Sequence, residues 1–72
     1  MTTLQNGTPF WERPCASKGL TSYRYLGKFG WIMIGATDTA DAIREANRSL
    51  ETPSAEIGRL EVWNGSRYVP VN

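Results

Sequence analysis

Histidine is absent from this chain of 72 residues, and its absence excludes many familiar catalytic and metal sites. Without an imidazole there is no Ser-His-Asp triad, no Cys-His dyad and no zinc site with a histidine ligand. Asp38, Asp41 and Glu45 share part of one predicted helix, but helix capping and solubility explain these acids better than a magnesium site does. The sequence therefore predicts a protein that is not an enzyme and has no catalytic residue, metal or cofactor.

Cysteine, long apolar runs and net charge are also scarce. Cys15 is the single cysteine, so the chain cannot form an internal disulfide. No apolar run approaches the roughly 18 residues of a membrane-spanning helix, and no signal peptide is recognisable. Eight basic and seven acidic residues leave a net charge of +1, which argues against a general nucleic-acid binder. We expect a cytoplasmic protein that makes no membrane contact.

The most informative stretch is an apolar hairpin between residues 20 and 36. Two strands are predicted on either side of the turn Gly27-Lys28-Phe29-Gly30. With Lys28 and Phe29 as the loop, antiparallel pairing puts a different apolar set on each face of the hairpin. One face carries Tyr23, Tyr25, Ile32 and Ile34, and the other carries Arg24, Leu26, Trp31 and Met33. Because both faces are apolar, both need cover from this chain or from a partner.

An amphipathic helix is predicted directly after the hairpin. Thr37 or Asp38 can cap it, and Asp41 lies where the reciprocal acid of a capping box belongs if Asp38 is the cap. Small or apolar residues then recur at steps of three and four, which predicts one stripe that covers a sheet. This stripe is Ala40, Ile43, Ala46, Asn47 and Leu50. After the helix, residues 52–56 predict a short helical turn that ends at Gly58.

A second hairpin follows, with Asn64-Gly65 as its turn signal. A four-residue loop is preferred to a two-residue loop, because it pairs Trp63 with Tyr68. On both faces of the hairpin, residues of similar character then lie opposite each other. Pro70 cannot donate a ladder hydrogen bond, which predicts that the last strand lies at a sheet edge. The fold class is α+β in the order β-β-α-β-β, with about four antiparallel strands and one helix packed on one face. We assign residues 1–20 to an irregular arm and residues 21–72 to this single domain.

Phe10 and Trp11 are the exception in an otherwise irregular, polar arm. Two large aromatic side chains between prolines are costly to leave in water. They either fold back onto the exposed face of the first hairpin or serve as a docking motif for a partner. The fold-back is favoured because a small core gains most from additional apolar cover, and the docking arm stays open as the alternative.

Three segments carry a resemblance to known proteins. They are Tyr23-Arg24-Tyr25, then Gly30 to Ala36 with the acid-capped helix, and Leu60 to Gly65 with Tyr68 to Val71. Over residues 22–71 this pattern resembles a group of small uncharacterised proteins from proteobacterial phages and other mobile elements. The architecture is also similar to that of some small anti-CRISPR proteins. The resemblance implies an origin in a phage or mobile element, and it implies no functional residues.

Two classes of function fit these residues. The first is a protein-binding module that occupies the surface of a host complex, such as a CRISPR-Cas or other defence complex, because aromatic residues, Met and Arg are enriched at interface cores. The predicted partner-binding residues are Arg24, Lys28, Trp31, Met33, Trp63 and Tyr68, with Phe10 and Trp11 on the docking arm. The alternative is a nucleic-acid-binding domain in which bases stack on a basic aromatic sheet face. The arm or a second copy of the chain, in a homodimer, could also cover this face.

Overall fold

A computed structural model describes residues 9–72, and these residues form one antiparallel sheet of four strands and one α-helix. The strands are β1 (Thr21–Gly27), β2 (Gly30–Ala36), β3 (Leu60–Trp63) and β4 (Tyr68–Pro70), and the helix is α1 (Thr39–Ser49). Short 3-10 turns lie at Phe10–Glu12 and Ile57–Arg59. The strand order is β2-β1-β3-β4. The predicted α+β class and the β-β-α-β-β order are confirmed.

The register of the first hairpin is the predicted one. Leu26 pairs with Trp31 and Arg24 pairs with Met33, so the two faces carry the expected residues. β3 then pairs with β1 on its other side and places Glu61 beside Arg24. The pairing brings a carboxylate next to the arginine on the face that α1 does not cover.

The second hairpin has the predicted four-residue loop, because Trp63 pairs with Tyr68. The Asn64 side-chain oxygen accepts hydrogen bonds from the backbone N–H groups of Ser66 and Arg67, at 2.8 and 3.0 Å. These bonds satisfy loop amides that have no strand partner. As Pro70 predicts, β4 lies at one edge of the sheet.

The hydrophobic core lies between α1 and one face of the sheet. Its buried members are Tyr23, Tyr25, Ile34, Ala36, Ala42, Ala46 and Leu60. The Tyr25 hydroxyl accepts a hydrogen bond of 2.8 Å from the backbone N–H of Glu56. The ring is therefore buried without leaving its polar atom unpaired, as burial of a tyrosine requires.

Two carboxylates, those of Asp38 and Asp41, accept backbone hydrogen bonds at the start of α1. A carboxylate oxygen of Asp38 accepts a hydrogen bond from the Asp41 backbone N–H at 2.8 Å. The Asp41 carboxylate in turn accepts one from the Thr37 backbone N–H at 3.0 Å, and this bond is the main cause that lowers the pKa of Asp41. Asp38, one of the two predicted candidates, is the N-cap. Asp41 supplies the predicted second acid, but it bonds the Thr37 amide, one residue before the N-cap amide that a standard capping box uses. Within residues 9–72, no helix has the length and apolar character to cross a bilayer.

The buried side of α1 is rotated from the predicted stripe. Ala42 and Ala46 are fully buried, and Ile43 and Leu50 flank them at the core. Ala40 is exposed, so its place in the predicted stripe was wrong. Alanines are equally apolar at every position, and only the close approach of α1 to β2 selects which of them is buried.

The short helical turn predicted to start at residues 52–56 and end at Gly58 begins later than expected, because the 3-10 turn lies at Ile57–Arg59. The Asn47 side-chain oxygen accepts a hydrogen bond of 2.8 Å from the Ala55 backbone N–H. The neighbouring Glu56 amide is taken by Tyr25. Both amides are therefore held by side chains, one from α1 and one from β1, and no helical turn forms between α1 and Ile57.

Candidate functional site

The N-terminal arm covers part of the sheet face opposite α1. The backbone N–H groups of Cys15 and Ala16 both donate to the Ser22 hydroxyl oxygen, at 2.9 and 2.8 Å. Ala16 lies directly over Gly35, where a side-chain carbon would come within 3.3 Å of the Ala16 Cα and Cβ atoms. The backbone of residues 9–20 lies against this face, but the Phe10 and Trp11 side chains for which the fold-back was favoured are 55% and 37% exposed. Residues 1–8 of the predicted arm lie outside the described part of the chain.

We expect Gly35→Val to displace the arm. The added side chain would occupy the space of Ala16, and overpacking of this kind costs about 1–3 kcal/mol. The arm relieves the clash by leaving the sheet, so trypsin should cleave after Lys18 faster than in the wild type. Gly58→Val is the matched control, because a Cβ at Gly58 meets no atom within 4 Å. Unchanged cleavage after Lys18 in Gly35→Val would show that Ala16 does not need this close approach.

Arg24 joins the arm to the sheet. Its Nε atom donates to a Glu61 carboxylate oxygen at 2.8 Å, and its Nη2 atom lies 2.7 Å from the same oxygen. On the arm side, Nη1 donates to the Trp11 backbone carbonyl at 2.7 Å and lies 3.5 Å from a Glu12 carboxylate oxygen. One guanidinium group thus binds β3 and the arm together, which a rigid, fork-shaped donor does better than a lysine.

Aromatic rings cover the same guanidinium group. The Arg24 Cζ atom lies 3.9 Å from the ring centroid of Trp31 and 4.7 Å from that of Tyr68. Both distances are within the range of a cation–π interaction. With only 10% of its side chain exposed, Arg24 is a buried cation whose donors and charge are matched on several sides.

Tyr68 makes a further polar contact between the sheet and the arm. Its hydroxyl donates a hydrogen bond of 2.8 Å to the Arg13 backbone carbonyl. Burial is the main cause that raises the pKa of Tyr68, and the adjacent Cys15 raises it further. The hydroxyl therefore stays protonated, so it keeps the proton that it donates to the Arg13 carbonyl. The Trp63 ring packs edge-on against Tyr68 with 5.2 Å between centroids.

The structure places the six predicted partner-binding residues in three environments. Arg24 and Tyr68 are buried beneath the arm. Trp31, Met33 and Trp63 are half-buried, and Lys28 is exposed at the tip of the first hairpin. A partner can reach Arg24 and Tyr68 only if the arm leaves, whereas the other four residues keep some accessible surface.

An exposed group of apolar side chains lies where the arm meets the tip of the first hairpin. We call it the aromatic patch, and its members are Phe10, Trp11, Leu26, Phe29 and Trp31. Four of them line one shallow depression, and Leu26 is the neighbour of Trp31 across the strands, on the same face. Phe29 is 95% exposed and Phe10 is 55% exposed, and the Phe10 and Trp11 rings meet edge to face at 5.1 Å.

The sequence prediction missed Phe29 and Leu26 as surface residues of this patch. Phe29 occupies a loop position between Lys28 and Gly30, where a side chain belongs to neither face of the sheet. That position was a usable signal of exposure. The arm, by contrast, is held through the Trp11 carbonyl and through Arg13, Cys15 and Ala16, so the Phe10 and Trp11 rings stay available.

The charges around the patch are mixed. The groove beside the hairpin tip is lined by Lys28 and Arg59 together with Glu51 and Glu56. Within residues 9–72, no group of three or more potential metal-ligating side chains comes together. No family model, curated protein or solved structure matches this chain.

Proposed function

We propose that this protein is a non-enzymatic protein-binding module whose contact surface is the aromatic patch. The observation that carries the proposal is the exposure of Phe29, which leaves almost its whole ring in water at the tip of a well-formed hairpin. An exposed phenylalanine contributes nothing to the core of its own domain. Burial of the ring against another protein removes its apolar surface from water, and this transfer favours binding.

The composition and rigidity of the patch support this proposal. Aromatic side chains that cluster at one place are the usual anchors of protein interfaces. Phe10 and Trp11 belong to a 3-10 turn whose Trp11 carbonyl is fixed by Arg24. A partner therefore meets rings whose backbone is already ordered, which reduces the entropy lost on binding. Lys28 lies beside Phe29 and supplies a charge at the rim.

The charge of the sheet face supports a protein partner over a nucleic acid. Arg24 is a basic residue of the helix-free face, and its charge is matched by Glu61 and Glu12. What remains accessible near the patch is Lys28 and a groove of mixed charge. Nucleic-acid binding needs several phosphate-neutralising residues on one surface, so the neutral aromatic patch favours protein binding.

The partner that we propose is a protein of a bacterial host complex in the cytoplasm. This step rests on the resemblance of residues 22–71 to small proteins of phages and mobile elements. A module of this size acts by covering part of a larger surface, because it has little volume for a site of its own. A defence complex, CRISPR-Cas included, is the first class of target to test.

The experiment is a quantitative pull-down from a proteobacterial lysate with three baits: wild type, Phe29→Asp and Ile57→Asp. Ile57 is also an exposed apolar residue, 47% accessible, but it lies outside the patch. Both substitutions should leave thermal unfolding close to that of the wild type, as exposed positions do. We expect a protein that binds the wild type and Ile57→Asp and is lost with Phe29→Asp. Equal recovery with all three baits, or with none, would contradict the role of the patch.

A further inference from the structure

The two edges of the sheet differ in a way that points to a second binding surface, the backbone edge of β2, which shares Trp31 with the aromatic patch. The β4 edge has three residues and ends in Pro70, which has no N–H to offer. The β2 edge has seven residues, Gly30–Ala36, with no charge and no proline. Natural sheets protect long apolar edges with charges, prolines or bulges, and β2 has none of these.

Among residues 9–72, the outer backbone groups of β2 have no backbone partner. In an antiparallel sheet every second residue of an edge strand directs its N–H and C=O away from its neighbour strand. Within residues 9–72, no backbone hydrogen bond joins β2 to any segment except β1. The arm crosses the face of β2 at Gly35 and Ile34 rather than extending the ladder.

We propose that β2 pairs with β2 of a second copy of this chain, antiparallel and centred on Met33, so that two sheets join into one. Isoleucine flanks Met33 on both sides, at Ile32 and Ile34. Pairing places Ile32 opposite Ile34 of the second copy, and β-branched cross-strand pairs of this kind are favourable. Trp31 lies opposite Gly35 of the second copy, on the face where Ala16 packs over Gly35.

Charge complementarity supports this occupant. Antiparallel pairing brings the hairpin tip of one copy to the end of β2 where α1 begins in the other. Lys28 of one copy then lies at the same end as Asp38 and Asp41 of the other. In the described part of the chain Lys28 forms no ion pair. Asp38 and Asp41 lie at the N-terminus of α1, and Asp41 also pairs with Arg44 at 3.1 Å. The arrangement occurs twice by symmetry, as an isologous dimer requires.

Sedimentation of the full chain over a range from micromolar to near-millimolar concentration tests the dimer. Strand pairing alone buries a small area, so we expect a weak, reversible dimer with twice the mass of one chain. Met33→Glu places two like charges opposite each other at the symmetry axis and should shift the protein to monomer, while the new carboxylate lies beside Arg24 within each copy. Pro70→Lys, a charge at the opposite edge, should leave the dimer intact. A wild type that stays monomeric, or a dimer that survives Met33→Glu, would overturn the proposal.

A cross-linking experiment tests the register without depending on stability. Residues directly opposite on antiparallel strands have Cβ atoms about 4.5–5.5 Å apart, close to the reach of a disulfide. In a Cys15→Ala background, Met33→Cys should therefore form a covalent dimer on mild oxidation. Ile57→Cys in the same background is the control and should not. Equal cross-linking of both variants would indicate random collision, and a monomer that instead captures an extended peptide at β2 would assign the edge to another protein.

Discussion

Arg24→Ala should lower the free energy of unfolding by about 3 kcal/mol, the low end for removal of one partner from a buried ion pair. The estimate is at the low end because Glu61 keeps a quarter of its side chain exposed. Loss of the guanidinium also removes the donor to the Trp11 carbonyl and the cation over Trp31. For a domain of this size the change corresponds to a fall in melting temperature of roughly 10–20 °C.

The matched control for this prediction is Arg48→Ala. Arg48 forms an ion pair with Glu45 on the exposed side of α1, with 77% of its side chain accessible. Such a pair contributes at most about 1 kcal/mol. A double variant, Arg24→Met with Glu61→Met, should recover much of the lost stability because neither charge is left unpaired. If Arg24→Ala melts like Arg48→Ala, the buried network contributes nothing to stability.

Ala46→Asp should unfold the domain at room temperature. Ala46 is fully buried against the sheet, and an unpaired carboxylate at such a position costs several kcal/mol. A domain of this length has a free energy of unfolding near the lower end of the usual range of about 5–15 kcal/mol. The expected far-ultraviolet circular dichroism spectrum is that of an unfolded chain, without a cooperative thermal transition.

Ala40→Asp is the matched control, because it makes the same change in the first turn of α1 at an exposed position. An acid near a helix N-terminus is neutral or slightly stabilising. The loss of stability in Ile43→Asp should lie between those of Ala40→Asp and Ala46→Asp, since Ile43 is half-buried at the side of the core. Equal damage from Ala40→Asp and Ala46→Asp would show that the rotation of α1 is different from the one described.

The first hairpin shows what sequence pattern can predict. Its register follows from one decision, the two-residue loop of Lys28 and Phe29, because a period of two then fixes every other pair. The helix start was equally well marked by Asp38 and Asp41. These features are local, so the residues that determine them are close in sequence.

The use of Arg24 shows what the pattern could not predict. The hairpin places Arg24 on the helix-free face, as expected, but its partners come from the arm and from β3. Glu61 is 37 residues away in sequence and Trp11 is 13 away, and no period connects them. A basic residue among aromatic rings therefore indicated a binding face, where the fold uses it to anchor its own arm. Its part in binding any partner stays a prediction.

The measurement that tests the central claim most directly is amide hydrogen exchange at Cys15 and Ala16. The claim is that Arg24 fixes the arm to the sheet, so that the aromatic patch and not the Arg24–Tyr68 face is offered to a partner. Both amides donate to Ser22 and should be protected in the wild type. In Arg24→Met they should lose that protection while the amides of Tyr23 and Ile34 keep theirs. Unprotected Cys15 and Ala16 amides in the wild type would contradict the claim, because the arm would then be free and the face beneath it open.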